Sequence, residues 1–573
     1  MESVLFLALR RLRLPIILLL AVYSIGMIGL VVIPGQDADG RPWHMSFFHA
    51  FYFLSYTAST IGFGELPRPF SNAQRLWVTG IIYFSVIGWT YFLGSLFALV
   101  RDRGFRLALV TQRFRREVRR LDGSFFVICG YGETGSLICR ALDRMGLQFV
   151  VLDIDSARVD EVDLQGYARD IPALAGDARI VENLILAGIT HRACRGVIAI
   201  TSDDRANLAV AIAVKLLNPS TPVLCRAMSR EVAKNMASFG TDYIINPFQR
   251  FGEHLWLALH APAVYRLISR LTGLPGTTLA ADTTPPHGHW IVCGYGRFGR
   301  EVASCFDREG LEATVIDPDP QKDEDGRRVV QGYGTEAGPL RQAGIDTAVG
   351  IVAGTDNDIN NLSIAVTARE INPNLFVVLR QNLEANRPLF RAFEADITMV
   401  SAEIVAYQSL SIVTTPLLAR FLGMAGTQDE SWASHVVARL DEVAGSVIAA
   451  TWGVDINASA APAIHRALMF ERYECAIDTL LRDPTARDRR LPCMPLLLVR
   501  NDEEILLPDP ATVLRPGDRL LFAGSNAARD RQRMTLRNVH ARDYVILGYD
   551  RPAGWVWQLL TRRNADTGST TTR

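Results

Sequence analysis

The chain repeats itself over a long distance, and that repeat constrains its fold more than any other feature. The stretch FVICGYGETG at 126–135 returns 164 positions later as WIVCGYGRFG at 290–299. At the same offset FVVLDID (149–155) is answered by ATVIDPD (313–319). Further on, TSDDRANL (201–208) is answered by TDNDINNL (355–362). Stacked repeat arrays have periods of about 20–50 residues, so a period this long marks a duplicated domain.

Each copy opens with a short apolar run, a G-x-G-x-x-G loop and a helical pattern. The glycines are Gly130, Gly132 and Gly135 in the first copy and Gly294, Gly296 and Gly299 in the second. An acid follows 23 positions after each first glycine: Asp153 and Asp317. In the first copy, β-branched runs near 125–129, 149–153, 172–175, 196–201 and 222–226 alternate with helical patterns. Such alternation predicts a parallel, doubly wound sheet. The first glycine makes a tight turn, the second lets backbone approach a pyrophosphate, and the third lets helix and sheet pack closely. The helix N-terminus offers free N–H groups to phosphate, and the acid accepts hydrogen bonds from ribose hydroxyls. The expected ligand is therefore an adenine nucleotide or a dinucleotide such as NAD(H). Glu133 and Thr134 sit inside the first loop, Arg297 and Phe298 inside the second. A cation at 297 favours phosphate where a carboxylate at 133 does not, so the copies can differ in ligand.

The apolar mass lies elsewhere. Leu14–Ile33 and Leu76–Val100 are uncharged runs of 20 and 25 residues. A bilayer core needs about 20 apolar residues as a helix. Arg10, Arg11 and Arg13 precede the first run, and eight arginines between 101 and 120 follow the second. The positive-inside rule then puts both ends in the cytoplasm. Gly88 and Gly94 in the second run are places where a membrane helix can bend. Between the runs, the aromatic stretch 47–56 has the length of a short re-entrant helix. It leads into Thr60, Ile61, Gly62, Phe63 and Gly64. Irregular backbone at membrane depth must line water or be buried in protein. Four such strands around an axis would stack rings of carbonyl oxygens able to replace the hydration shell of a potassium ion.

Thr60 to Gly64 resembles the TVGYG signature of the potassium-channel family, and 45–100 resembles its pore helix, filter and inner helix. Phe63 stands where tyrosine is usual, and Glu65 where aspartate is usual. The duplicated part resembles the regulator-of-potassium-conductance (RCK) family over roughly 124–275 and 289–530. There a Gly-Asp-Ala segment (Gly176, Asp177, Ala178) and a Leu-x-x-Ala-Gly-Ile segment follow the ribose acid. Tyr333 replaces the Asp177 equivalent in the second copy. The resemblance implies that 248–271 and 402–422 are crossovers pairing the two domains. It also implies a homotetramer whose pore is gated by nucleotide or ion binding to a cytoplasmic gating ring. The expected fold is an α-helical two-span membrane pore domain, two tandem Rossmann-type domains and a small α+β C-terminal lobe.

The expected boundaries are pore 1–100, basic linker 101–122, first RCK domain 123–275, linker 276–288, second RCK domain 289–425, lobe 426–530 and tail 531–573. The expected partners are a lipid bilayer (the cell's inner membrane), further copies of the chain and a nucleotide. With a formal net charge of zero, nothing points to nucleic acid. The eight cysteines form no C-x-x-C pair, so buried thiols are expected rather than disulfides or zinc. The acidic loop 317–325 lacks calcium-ligand spacing. A membrane-anchored dehydrogenase would explain the Rossmann loops but not the filter, and the scattered histidines supply no base, so an enzyme is not expected. Uptake regulators and antiporters match only the Rossmann part.

Overall fold

The computed structural model describes residues 2–36, 41–66, 68–273, 276, 284–319 and 327–549. Most of the linker 276–288, most of the acidic loop and the tail beyond 549 lie outside the described residues. The chain forms two compact units, Met1–Leu121 and Asp122–Arg573.

Among the described residues the first unit holds four helices: α1 (Glu2–Val32), α2 (Phe47–Ala58), α3 (Asn72–Arg101) and α4 (Arg103–Arg119). α1 and α3 are long and apolar enough to cross a membrane. Many of their large apolar side chains face outward, among them Ile17, Leu20, Phe84 and Phe97. That is the pattern of a helix pair solvated by lipid or by further copies. Leu30, Phe53, Leu54, Tyr56, Val78 and Ile81 form the small core that seats α2 between them. Ser71 and Gln74 close a capping box at the start of α3, and the buried Gln74 side chain donates to Ile33 O at 3.0 Å.

Close approach of α1 and α3 depends on Gly29. A Cβ there would lie 2.0 Å from the Trp77 indole, whose Nε1 donates to Gly26 O at 3.3 Å. Small residues at helix crossings do this work in membranes, where burial alone gives helices little reason to associate. Gly29→Val should lower the unfolding midpoint of the reconstituted protein. The expected cost is about 1–3 kcal/mol, typical of overpacking.

In the second unit each duplicated copy is a six-stranded parallel sheet. The first has β1 (Phe125–Cys129), β2 (Gln148–Asp153), β3 (Ala173–Ala175), β4 (Cys194–Ala199), β5 (Val223–Arg226) and β6 (Tyr243–Ile245). Its spatial order is 3-2-1-4-5-6. β7 (Trp290–Cys293), β8 (Ala313–Asp317), β9 (Val329–Gln331), β10 (Gly350–Ala353), β11 (Phe376–Gln381) and β12 (Ile397–Val400) repeat that order. Both copies therefore have the dinucleotide-binding strand order, with the reversal beside the first strand of each. The sixth strand of the first copy, β6, lies outside the five runs read from the sequence and consists only of Tyr243, Ile244 and Ile245.

The crossovers are reciprocal. Helix α6 (Pro247–His260) leaves the first copy and packs Phe248, Phe251, Leu255 and Leu259 against Phe298, Val302 and Phe306 of α7 (Arg297–Glu309) in the second. Helix α8 (Ser401–Thr414) leaves the second copy and packs Val405, Ala406 and Leu410 against Ile138 and Leu142 of α5 (Glu133–Arg144) in the first. Each phosphate-loop helix is thus covered by the other copy. The C-terminal lobe is an antiparallel sheet of β13 (Ala450–Asp455), β14 (Cys493–Arg500), β15 (Glu503–Leu506) and β16 (Arg519–Gly524). Helices α9 (Asn526–Arg537) and α10 (Val539–Leu547) continue it beyond residue 530, and Arg542, 1% exposed, is held there by Asp543 and Glu471. The expected tail, 531–573, thus begins inside α9 and takes in all of α10, whose sequence has little apolar periodicity. All eight cysteines are free thiols.

Candidate functional site

Two sites emerge, one in each unit. In the first, α2 ends at Ala58 and the chain turns back, with Ile61 and Gly62 N–H groups both donating to Tyr56 O (3.0 and 3.2 Å). Thr60, Gly62 and Gly64 then adopt φ of 63, 65 and 72°, so every second residue lies in the left-handed region. Alternation of that kind turns successive carbonyls toward one side, and only glycine takes it without strain. Thr60 bears the strain of a side chain in that region. Ile61 and Phe63 are more than half exposed in the single chain. The sequence pattern did not identify the brace behind them. Tyr56 Oη donates to Glu65 O, and Tyr52 Oη donates to the Glu65 carboxylate, each at 2.9 Å. The two tyrosines are four apart on α2 and so share a face.

The second site is a crevice of about 350 Å³ at the first copy's strand-order reversal. Gly130, Gly132, Glu133, Thr134, Asp153 and Asp177 all line it. Gly130 has φ 106°, and a Cβ there would meet Thr201 N at 2.9 Å. A Cβ on Gly135 would lie 2.1 Å from Gly130 O, so this third glycine closes the loop against its own helix. Gly132 caps α5 without a side-chain bond, leaving the first-turn N–H groups for a ligand. Asp153 is buried and accepts from Tyr131 N (2.5 Å) and Asp155 N (2.8 Å), which fixes its carboxylate at the crevice wall. Arg179 chelates Asp177 through Nε and Nη2 (2.8–3.1 Å) and holds its carboxyl below the usual range.

The crevice is not made by one copy alone. Arg380, Asn382, Ser401 and Ala402 of the second copy line it with Arg226 of the first. Glu133 accepts the Glu384 N–H at 3.0 Å, so this carboxylate clamps the second copy onto the loop. Burial pulls Arg226 and Arg380 below the usual guanidinium value, and neither Nε finds a hydrogen-bond partner among the described residues. Two half-buried cations in one crevice favour an anion. The sequence reading missed them, although they hold equivalent places in the repeat. Beneath both stands the same bracket. Asn207, fully buried, accepts from Thr201 N and Oγ1 (2.9 Å each) and donates to Thr201 O and Arg226 O (3.1 and 3.0 Å). Asn361 does the same for Thr355 and Arg380. Asn207→Ala should lower the unfolding midpoint by an amount worth about 2–4 kcal/mol, because buried backbone groups lose their partners.

The second copy repeats the loop. Gly294 has φ 92°, a Cβ on Gly299 would lie 2.0 Å from Gly294 O, and Tyr295 N donates to Asp317 at 2.7 Å. Gly296 caps α7 without a side-chain bond. The expected site residues do not all converge there. Phe298 is 1% exposed and packs on Phe248 and Phe251, so its ring belongs to the crossover core. Arg297 lines a separate cavity of about 680 Å³ with Arg230, Arg300 and Arg327, where Arg230 is paired to Glu301.

The ion-channel domain family matches residues 17–102, the TrkA-N domain family 126–247 and 290–401, and the TrkA-C domain family 476–535. The chain is an ion-channel domain joined to two TrkA-N domains and a TrkA-C domain. This bears out the resemblance to two-span potassium channels with tandem RCK domains, and it makes the chain a membrane protein. An uncharacterized protein of Methanothermus fervidus is 27% identical over 44% of this chain and 37% of its own length. Potassium channel protein 1 of Methanocaldococcus jannaschii is 25% identical over 42% of this chain and 67% of its own. Probable potassium channel protein 2 of that organism is 24% identical over 36% and 58%. The chain thus spans between about a third and two thirds of the length of these three relatives. The solved GsuK channel is 18% identical with a TM-score of 0.47, covering 93% of this chain and 99% of that one.

Proposed function

We propose that the chain is one subunit of a homotetrameric, potassium-selective channel whose opening is set by a nucleotide in the first TrkA-N crevice. The left-handed alternation at Thr60, Gly62 and Gly64, between two helices of membrane length, is the observation that carries this reading. Four such segments would present backbone oxygens to a dehydrated cation. The ion-channel domain and the potassium-channel relatives support the same ion. The ligand side is supported by the glycine loop, the fixed Asp153 carboxylate and the two half-buried guanidinium groups, which together suit a ribose and a phosphate chain. NAD(H) and adenine nucleotides have both. On this reading the arginines put the domains and both chain ends on the cytoplasmic side of the inner membrane.

The crevice is closed by parts of both copies, so a ligand there bears on their relative arrangement. It shifts the gate only by its affinity difference between two arrangements. Gly88 and Gly94 in α3 are the proposed bending points: a Cβ on Gly94 meets nothing within 4 Å, and one on Gly88 meets Leu19 at an ordinary 3.7 Å. Potassium flux into liposomes, measured with and without ADP or NAD(H), tests the proposal. A nucleotide-dependent change is expected, and flux indifferent to all of them would count against the ligand assignment.

A further inference from the structure

We infer that α4 is a docking surface for an anionic phospholipid leaflet, an inference that rests on reading α1 and α3 as membrane spans. A single residue, Asp102, separates the end of α3 from the start of α4. Its carboxylate accepts Phe105 N at 2.9 Å, capping α4, and pairs at 3.1 Å with Arg11 near the basic start of α1. The helix therefore begins where the membrane span ends, at the level of the arginines that flank both spans.

Its surface is two-faced. Leu107, Val110, Phe114 and Val118 recur at the spacing of one helical stripe. Phe114 and Val118 are buried, yet Leu107 and Val110 on the same stripe are 54% and 52% exposed. Leu109, on the other side, is a lone exposed leucine of the ordinary kind. Eight arginines lie between 101 and 120 against two acids, and all eight are exposed. An open apolar half-stripe flanked by arginines is the make-up of a helix that lies in a membrane interface. Continuity with α3 brings it to the leaflet, and its charge selects anionic headgroups, since polybasic segments bind such lipid through its negative surface potential.

The test uses the full-length protein in lipid nanodiscs. Spin labels are placed through Leu107→Cys, Val110→Cys and Arg116→Cys in a Cys194→Ser background, because the other seven native thiols are buried. In discs containing phosphatidylglycerol, labels at 107 and 110 should collide more with oxygen than with a water-soluble nickel chelate, and the label at 116 the reverse. In phosphatidylcholine alone, or with Arg103, Arg106 and Arg113 all changed to glutamine, 107 and 110 should shift to the pattern of 116. The inference is overturned if 107 and 110 are water-exposed in anionic discs. It is equally overturned if they are shielded from both reagents, as a covering protein surface would do, or if the lipid makes no difference. A label at Phe84→Cys in α3 reports the membrane span separately, so failure of that reading is distinguishable.

Discussion

Gly62→Ala abolishes potassium flux through the reconstituted protein and leaves the nucleotide-binding unit folded. At φ 65° an L-residue costs about 1–2 kcal/mol relative to glycine, or roughly 4–8 kcal/mol over four subunits. Within one chain nothing lies within 4 Å of the added Cβ. The cost is therefore backbone strain, relieved by rotating a carbonyl out of the ion's path. Because each 1.4 kcal/mol is worth about tenfold in rate, a loss of two or more orders of magnitude is expected in a liposome flux assay. Flux within about twofold of the parent protein would contradict the filter assignment. No change is expected in the unfolding of the TrkA-N domains, which are a separate compact unit.

Gly132→Val removes nucleotide binding from the first copy. Here the backbone is ordinary (φ −81°, ψ −160°), so a branched residue brings no left-handed strain. Its Cβ would meet only the Arg158 guanidinium at 3.2 Å, the far end of a flexible side chain. The loop should keep its shape while the new side chain occupies the approach to the α5 N-terminus. Loss of about two charge-assisted hydrogen bonds, each worth about 1.5–3 kcal/mol, lowers affinity by at least about a hundredfold in calorimetry with ADP or NAD(H). Unchanged affinity would reject the site. Gly130→Ala is the wrong variant for this purpose. With φ 106° and Thr201 N at 2.9 Å, it would disrupt the loop itself.

What could be read in the sequence was local and periodic. The glycine loops, the acids 23 positions on, and the two apolar runs depend on short-range spacing, and the fold sets the loops and acids beside the strand-order reversals and the runs in long helices. What could not be read depends on contacts between distant segments. Arg380 and Asn382 reach the first copy's crevice only because the crossover helices exchange partners, and no local pattern announces that exchange. Gly29 looks like any glycine in a membrane span until Trp77 is set against it. Tyr52 and Tyr56 read as apolar pore-helix residues, and their hydroxyls acquire a role only when the chain returns with Glu65. Phe298, placed in the phosphate loop by its position, turns out to be crossover core, because position in a motif does not fix the direction of a side chain.

The bi-ionic reversal potential of the reconstituted protein, with potassium on one side of a planar bilayer and sodium on the other, bears most directly on the filter. If carbonyl oxygens of residues 60–64 replace the water around potassium, the current reverses far from zero, in the direction that marks potassium as the permeant ion. A reversal near zero, with sodium carried as readily, would contradict the account.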